Sequence, residues 1–410
     1  MTTTTTNTIS TKHFSTPSKP KPLIFKLVHS KSILSNDDLL QTDDYYNDGP
    51  FINLLPATDA SLLLVNFSIG EPPIPQLAII DTGSIRIWLI CSTNFAHNHL
   101  ENTDPKNIYD PSKSTSFRKI PCRDALCPGN CKIRDYPTCP FSNSYGSKQF
   151  VDGVLAMEQF TFGTSDDGII QQQVLFGCAH PSKSAGGQII NDPRFNGVFG
   201  LGDTSLLSKI GGGKPKFSFC IGDIENPDYP YSHLQIGSGV EFEGASTPLQ
   251  VRVGGAFSVV VDSISFGEEL LNVDPHTFLI DTGAELTYFG RLWYPVIKQQ
   301  INDSLLALGL KPNLVLKDCF DGSVVDDLKK FPSFRLHLTA KKDMVLNPIN
   351  LFYQRKDAYK VFCHATRSFY LNDFTSVLGL TAMQGYNMAF DVAQKKLYIN
   401  QVDCQNYISN

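Results

Sequence analysis

No stretch of this 410-residue chain approaches the run of about 20 consecutive apolar residues that a membrane-spanning helix needs. Charge of one sign is also scarce as a block. The 35 Lys and Arg against 40 Asp and Glu leave a net charge of -5 and a pI near 6.0. No basic face suits nucleic acid, and no like-charged run reads as a tail. The nine histidines are scattered, and neither His-Glu-x-x-His nor Gly-x-Ser-x-Gly occurs. That argues against a zinc hydrolase and a serine hydrolase. The glycine run Gly211-Gly212-Gly213-Lys214 lacks the following Ser or Thr and the strand-loop-helix setting of a phosphate loop. An apolar leader is missing too. The first 20 residues are dominated by Thr, Ser, Lys and Asn, and the first acid is Asp37. The expectation is a signal peptide missing from this start, rather than an organelle transit peptide.

Cysteine is not scarce. The ten cysteines are an even number, which suggests disulfides and an oxidising compartment. Asn66-Phe67-Ser68 and Asn302-Asp303-Ser304 are glycosylation sequons, in agreement with secretion. The 41% apolar share is ordinary for a soluble globular protein. The length suggests two or three domains.

From Leu54 onward, short β-branched and aromatic runs alternate with Gly, Pro, Asn and Asp clusters. Leu62 to Ile69, Leu77 to Ile80, Gln159 to Phe162, Val174 to Phe176, Ser258 to Phe266 and Lys396 to Ile399 read as strands. Helical spacing predicts a helix over Leu292 to Leu308, ending before Gly309, and a shorter one over Ser205 to Ile210. Residues 1 to 50 read as irregular, with one short apolar run, Leu23 to Val28.

The chain also repeats itself. Leu77-Ala78-Ile79-Ile80-Asp81-Thr82-Gly83 matches Phe278-Leu279-Ile280-Asp281-Thr282-Gly283, with the two aspartates 200 positions apart. Val198-Phe199-Gly200 begins 117 residues after Asp81, and Val377-Leu378-Gly379 begins 96 after Asp281. The boundary between the halves falls near Ser238 to Pro248.

Each part of Asp-Thr-Gly has a use. Gly permits a tight turn that leaves the carboxylate at a strand end. Thr can hydrogen-bond across a pseudo-symmetric interface. Two such turns brought face to face put two carboxylates in contact. Like charges that close cannot both ionise cheaply, so the pair shares one proton. The ionised member can take a proton from a water while the other protonates a scissile carbonyl oxygen. The titration belongs to the pair, so the base is not assigned to either aspartate at this stage. Two copies after apolar strands fall well under about 1% by chance from average composition.

On these residues the chain resembles the pepsin-like aspartic proteases, in particular the plant group related to nepenthesin. The resemblance covers about residues 55 to 410. Val65-Asn66-Phe67-Ser68-Ile69-Gly70-Glu71-Pro72-Pro73, Trp88, Phe176-Gly177-Cys178, Gly197 to Gly202, Lys216 to Cys220 and Thr247-Pro248-Leu249 all carry it. Tyr145-Gly146, with Gly153 eight positions after Tyr145, is similar to the family's flap. The resemblance implies that Tyr145 lies on a hairpin over the cleft with its hydroxyl toward Trp88. Ser84 follows the first motif, but Ala284 follows the second, where the family usually has Ser or Thr. Losing one such hydrogen bond is worth about 1 kcal/mol and implies a shifted dyad pKa rather than inactivity. Gly146-Ser147-Lys148-Gln149, Ile85-Arg86 and Gly379-Leu380-Thr381 also depart from the pattern, which bears on substrate preference.

Cys122, Cys127, Cys131 and Cys139 look like the group's cysteine-rich insert. Their intervals suit disulfides better than zinc. By resemblance the pairs are Cys122 with Cys139, Cys127 with Cys131, Cys178 with Cys404 and Cys319 with Cys363, leaving Cys91 and Cys220 to pair or stay free. Pro22 to Ser30 resembles part of a prosegment, which motivates the expectation of a missing signal peptide. Lys21, Lys26, His29 and Lys31 are available there to neutralise the dyad.

The resemblance implies an all-β, bilobal fold of two pseudo-symmetric six-stranded-type barrel lobes with few short helices. Residues 1–50 are expected to be a disordered N-terminus with a partial prosegment. Residues 51–240 would be the N-terminal lobe, with the insert at about 91–139 and the flap at about 141–155, and 241–410 the C-terminal lobe. The expected activity is an aspartic endopeptidase working at acidic pH with Asp81 and Asp281, supported by Thr82, Gly83, Ser84, Thr282 and Gly283. It would cleave protein or peptide substrates with apolar residues beside the scissile bond. It would need no metal or other cofactor and would be a monomer without nucleic-acid or membrane-spanning partners. Apoplast or vacuole is expected rather than plastid. The alternative is a pepsin-fold binding protein with little or no activity, such as an inhibitor of microbial wall-degrading enzymes or a cell-wall glycoprotein.

Overall fold

Strands dominate the computed structural model of this chain, which describes residues 23–30, 61–92, 108–128, 131, 137–145, 150–163, 169–180, 195–202, 204–213, 215–226, 228–237, 239–252, 254–355, 360–369 and 373–408. The expected strands form close to where the alternation placed them: Leu63–Ile69, Ile74–Asp81, Phe150–Gly163, Ile169–Ala179, Phe257–Phe266 and Lys396–Gln401. In Leu63–Ile69, Val65 and Phe67 point into the core while Asn66 between them is exposed. The two expected helices are Thr204–Ile210 and Tyr294–Ala307. The longer one buries Ile297, Ile301 and Leu305, a stripe at i and i+4.

The sequence repeat is a repeat of topology. In the first half, Ile74–Asp81 runs parallel to Gly197–Gly200. That strand is antiparallel to Trp88–Ile90, which is parallel to Ile169–Ala179. In the second half, His276–Ile280 runs parallel to Thr375–Leu378, which is antiparallel to Thr287–Gly290, itself parallel to Thr366–Phe369. Each half therefore threads the strand that follows its aspartate through the same arrangement.

The closing glycines make this possible. A Cβ on Gly200 would lie 2.7 Å from the Arg86 backbone, and one on Gly379 would lie 2.1 Å from the Leu286 carbonyl oxygen. Arg86 and Leu286 each stand five residues beyond their aspartate. The chain leaving each Asp-Thr-Gly turn thus crosses directly over a glycine that only a missing side chain permits.

The fold is all-β and bilobal. One nine-stranded sheet is built only from the second half of the chain. The 14-stranded sheet carries the first half and continues into Ser246–Pro248, Tyr386–Asp391 and Lys396–Gln401 from the second. Those strands join Lys216–Ile221 and His233–Ile236, so the lobes share a continuous platform. Stacked Phe217 and Phe390, with ring centroids 4.3 Å apart, fill its centre.

One expectation needs correction here. Leu23–His29, placed in a disordered N-terminus, is a strand paired with His233–Ile236 and with Leu63–Ile69. Its alternation buries Leu23, Phe25 and Leu27 on one face. The period-2 pattern was present, but the flanking polar residues obscured it.

The disulfide expectations divide. Cys319–Cys363 forms as expected. The insert instead pairs Cys122 with Cys131 and Cys127 with Cys139. Backbone register is the reason. Cys139 donates to the Ile120 carbonyl and Cys122 to the Pro137 carbonyl, so Cys122 and Cys139 are offset, while a turn at Asp124 carries Cys127 back. Cys178 pairs with Cys91, not Cys404, because Trp88–Ile90 lies beside it with Leu89 opposite Cys178. Cys220 pairs with Cys404. The described residues contain no free cysteine and no cluster of His, Cys, Asp or Glu arranged to hold a metal. No described helix is long and apolar enough to cross a membrane.

Beside Cys363, His364 is fully buried, stacked on Phe320 and edge-on to Phe352, with both ring nitrogens unpartnered. Burial pushes it down to about 4, against the pull of the Asp318 carboxylate, with Arg367 and Lys298 adding to the depression. A depressed histidine favours the fold above its unfolded pKa of about 6.5 and withdraws that support as pH falls toward 4. The full loss is about 3 kcal/mol at 1.36 kcal/mol per pKa unit. Acid titration followed by circular dichroism checks this. His364→Phe is expected to flatten the stability–pH slope between about 6.5 and 4, whatever its constant offset. An unchanged slope would rule His364 out.

Candidate active site

Two strands deliver the carboxylates. Asp81 ends the strand Ile74–Asp81, and the Leu201 amide donates to its carbonyl. Asp281 follows His276–Ile280 and donates its own amide to the Leu378 carbonyl. Thr82 and Thr282 are fully buried and Asp81 is only 6% exposed, while Asp281 is half-buried.

A reciprocal grip joins them. The Thr82 amide donates to Thr282 Oγ1 at 3.1 Å, and the Thr282 amide donates to Thr82 Oγ1 at 3.1 Å. Each hydroxyl then donates onward: Thr82 to the Ile280 carbonyl at 2.7 Å and Thr282 to the Ile80 carbonyl at 2.9 Å. A hydroxyl can accept one bond and donate another, which is why Thr suits this position. The glycines matter equally. A Cβ on Gly83 would sit 2.8 Å from the Asp281 carboxyl carbon, and one on Gly283 would sit 3.0 Å from that of Asp81. Each motif's glycine makes room for the other motif's acid.

The acids meet as a hydrogen-bonded pair. The Gly83 amide donates to Asp81 Oδ1 at 2.7 Å, and the Gly283 amide to Asp281 Oδ1 at 2.9 Å. The symmetry breaks at the next residue. Ser84 Oγ donates to Asp81 Oδ2 at 2.6 Å, whereas Ala284 has no hydroxyl to offer. Burial raises both acids. Asp81 is held back first by Ser84, then by Gly83 and by the bond from Asp281. Asp281 is pushed up to about 8, first by burial and then by the charge on Asp81. The pair therefore holds one proton, and the Ser84 hydroxyl favours the charge on Asp81.

That asymmetry gives a testable consequence. Ala284→Ser restores a donor worth about 1 kcal/mol, or roughly 0.7 pKa unit, to the charged form of Asp281. The alkaline limb of the activity–pH profile is expected to move down by about that amount. A limb that stays in place would show that burial alone sets it.

Tyr145 lies just beyond the strand Pro140–Ser144, which pairs with Phe150–Gly163 as a hairpin. Trp88 Nε1 donates to its hydroxyl at 2.5 Å. Burial, then the charge of Asp81, raises the Tyr145 phenol, so it stays protonated. The hairpin tip, with Gly146, lies outside the described residues. No sequence signal singled out Glu285 or Tyr288. Glu285 accepts from the Ser61 amide at 2.8 Å, tying the start of Leu63–Ile69 to the second Asp-Thr-Gly turn. Tyr288 is buried against Ala284, Leu286, Ala365 and Val377, a small apolar cluster separate from the main core. Their positions four and seven residues after Asp281 are the only available clue. Of the sequons, Asn66 is exposed on a strand and Asn302 is half-buried on the helix Tyr294–Ala307.

The chain is similar to known proteins along most of its length. A family model described as xylanase inhibitor N-terminal covers residues 63–238, and its C-terminal counterpart covers residues 256–401. The chain is 27% identical over 348 residues to aspartyl protease UND of Arabidopsis thaliana, covering 83% of this chain and 85% of that protein. It is 27% identical over 300 residues to aspartic proteinase nepenthesin-1 of Nepenthes gracilis, covering 67% of this chain and 61% of that protein. Among solved structures, basic 7S globulin from soybean superposes with a TM-score of 0.65 at 15% identity, over 92% of this chain and 95% of that one. At that identity the likeness speaks for the fold.

Proposed function

Because the chain belongs to the pepsin-like aspartic protease family of plants, we propose that it is an aspartic endopeptidase that activates one water between Asp81 and Asp281. The observation that carries this reading is the shared-proton pair itself, held by the Thr82–Thr282 grip with both motifs intact. Charged Asp81 takes a proton from the water. Protonated Asp281 donates to the scissile carbonyl oxygen. The water attacks directly, so no covalent enzyme intermediate forms. Tyr145, closed onto Trp88, keeps bulk water from the reacting atoms.

The substrate is an extended protein segment with apolar residues beside the scissile bond, in keeping with the apolar clusters next to each catalytic turn. Raised acids support the fold fully below their unfolded pKa of about 4 and lose that support progressively as pH rises to the folded value. The working window therefore lies on the acid side of about 8. Five disulfides support maturation in an oxidising compartment, on the way to apoplast or vacuole.

The test uses the full chain, because Leu23–His29 is part of the platform. A denatured protein substrate is expected to be cleaved at acidic pH, and pepstatin is expected to stop it. The matching family models are described as xylanase inhibitor, which favours a second reading as a binding protein. A folded chain that inhibits a xylanase and cleaves nothing would establish that reading instead.

A further inference from the structure

The wall beneath the flap is packed more tightly than its sequence suggests. Ile169–Ala179 lies between Trp88–Ile90 on one side and Phe150–Gly163 on the other, so Cys178 faces Leu89 across one ladder and Val154 across the next. Glycines let these strands approach. A Cβ on Gly153 would lie 2.2 Å from the Cys178 carbonyl oxygen. One on Gly177 would meet the Phe141 ring at 2.5 Å, and one on Gly197 would lie 2.0 Å from the Trp88 carbonyl oxygen. The Cys91–Cys178 disulfide then ties the end of the Trp88 strand to the flap's supporting strand. Both cysteines are buried.

These connections close a ring. It runs from Trp88 along its strand to Cys91, through the disulfide to Cys178, across to the flap arm and out to Tyr145. It returns through the hydrogen bond from the Trp88 indole to the Tyr145 hydroxyl. A ring has two ways to loosen, at the covalent link or at the hydrogen bond. With the covalent link intact, the flap arm and the indole are held in fixed register, and the hydrogen bond forms without further ordering.

We infer that Cys91 and Cys178 are positioning residues, whose disulfide sets the distance between Trp88 and the strand arm that carries Tyr145 and so holds the hydrogen bond between them. This rests on the endopeptidase reading for its kinetic consequence, but the positioning itself can be measured without catalysis.

The chain has two tryptophans, and only Trp88 donates its indole N–H to a partner; the Trp293 indole is buried with none. Exchange of the two indole protons with solvent, followed by NMR, therefore reads the latch against an internal standard. In Cys91→Ser/Cys178→Ser the Trp88 proton is expected to exchange at least about tenfold faster, with Trp293 unchanged, a shift that converts to about 1.4 kcal/mol. Equal acceleration at both would mean general loosening and would overturn the inference. No acceleration at either would overturn it too.

For an active protein, a double-mutant cycle adds a second readout. Misplacement on the scale of 1 Å can cost up to about 100-fold, so the cysteine pair is expected to lower kcat/KM by about tenfold or more. In a Tyr145→Phe background, where the hydrogen bond is already gone, the same change is expected to cost less than about twofold. An equal loss in both backgrounds contradicts the inference. Removing the second-lobe disulfide, Cys319→Ser/Cys363→Ser, is the control that should leave the Trp88 proton alone. If the serine pair does not fold, Cys91→Ala/Cys178→Ala removes the same link without burying hydroxyls, and the same two readouts apply. A wild type that shows the protected Trp88 proton but cleaves nothing sinks the endopeptidase reading and leaves the positioning intact.

Discussion

Asp281→Asn is expected to reduce peptide cleavage by at least about 1,000-fold while leaving the circular dichroism spectrum and the thermal midpoint close to those of the wild type. The reason lies in what asparagine retains. It is isosteric, it can still accept from the Gly283 amide, and its amide can still face Asp81. It has no acid proton to give to a carbonyl oxygen. General acid–base transfer contributes about 100- to 10,000-fold in typical enzymes, and here both transfers depend on the pair. The same change removes the acid that burial and the charge on Asp81 push up to about 8. Asp281→Asn therefore also flattens the fall in stability between about pH 4 and 8, because a raised acid loses its support as pH climbs from its unfolded to its folded value. A variant that cleaves at a tenth of the wild-type rate, or that unfolds, would count against the dyad.

Thr82→Val carries the second large effect, and it is read in stability. Valine matches threonine in shape but not in chemistry. Losing the hydroxyl strips the Thr282 amide of its acceptor and the Ile280 carbonyl of a donor, both at a buried junction between the two halves. Each polar group left unsatisfied costs about 1–3 kcal/mol, so the total is roughly 2–6 kcal/mol. Against a typical total stability of about 5–15 kcal/mol, that is enough to lower the urea midpoint markedly. Thr282→Val should cost a similar amount, because the grip is reciprocal. Thr82→Ser keeps the hydroxyl and should recover most of the loss. A Thr82→Val protein as stable as its Ser counterpart would mean that the grip contributes only shape.

The parts of this molecule readable from sequence are those written locally. Asp-Thr-Gly is three adjacent residues, and its duplication after apolar strands marks both halves. Strands such as Phe257–Phe266 and the helix Tyr294–Ala307 declare themselves through period and punctuation. The effect of Ala284 is also legible, because one missing hydroxyl stands beside a known acid. What needed coordinates is non-local. The partner of Cys178 depends on which strand lies beside it, and sequence separation carries no trace of that. The insert's crossed pairs depend on a register offset between Cys122 and Cys139. Leu23–His29 looks like an isolated apolar run until its two neighbours in the sheet are seen. Gly200 and Gly379 were visible as a repeated strand end, but their reason is the chain crossing them at Arg86 and Leu286.

The proton shared between Asp81 and Asp281 ties catalysis, pH dependence and symmetry breaking together. High-resolution crystallography of the full chain at acidic pH examines it at source. The account predicts one ordered water within about 2.6–3.2 Å of a carboxylate oxygen from each aspartate, with the longer carbon–oxygen bond of a protonated acid on Asp281. Two carboxylates that turn away from each other, each with its own solvent, would contradict it.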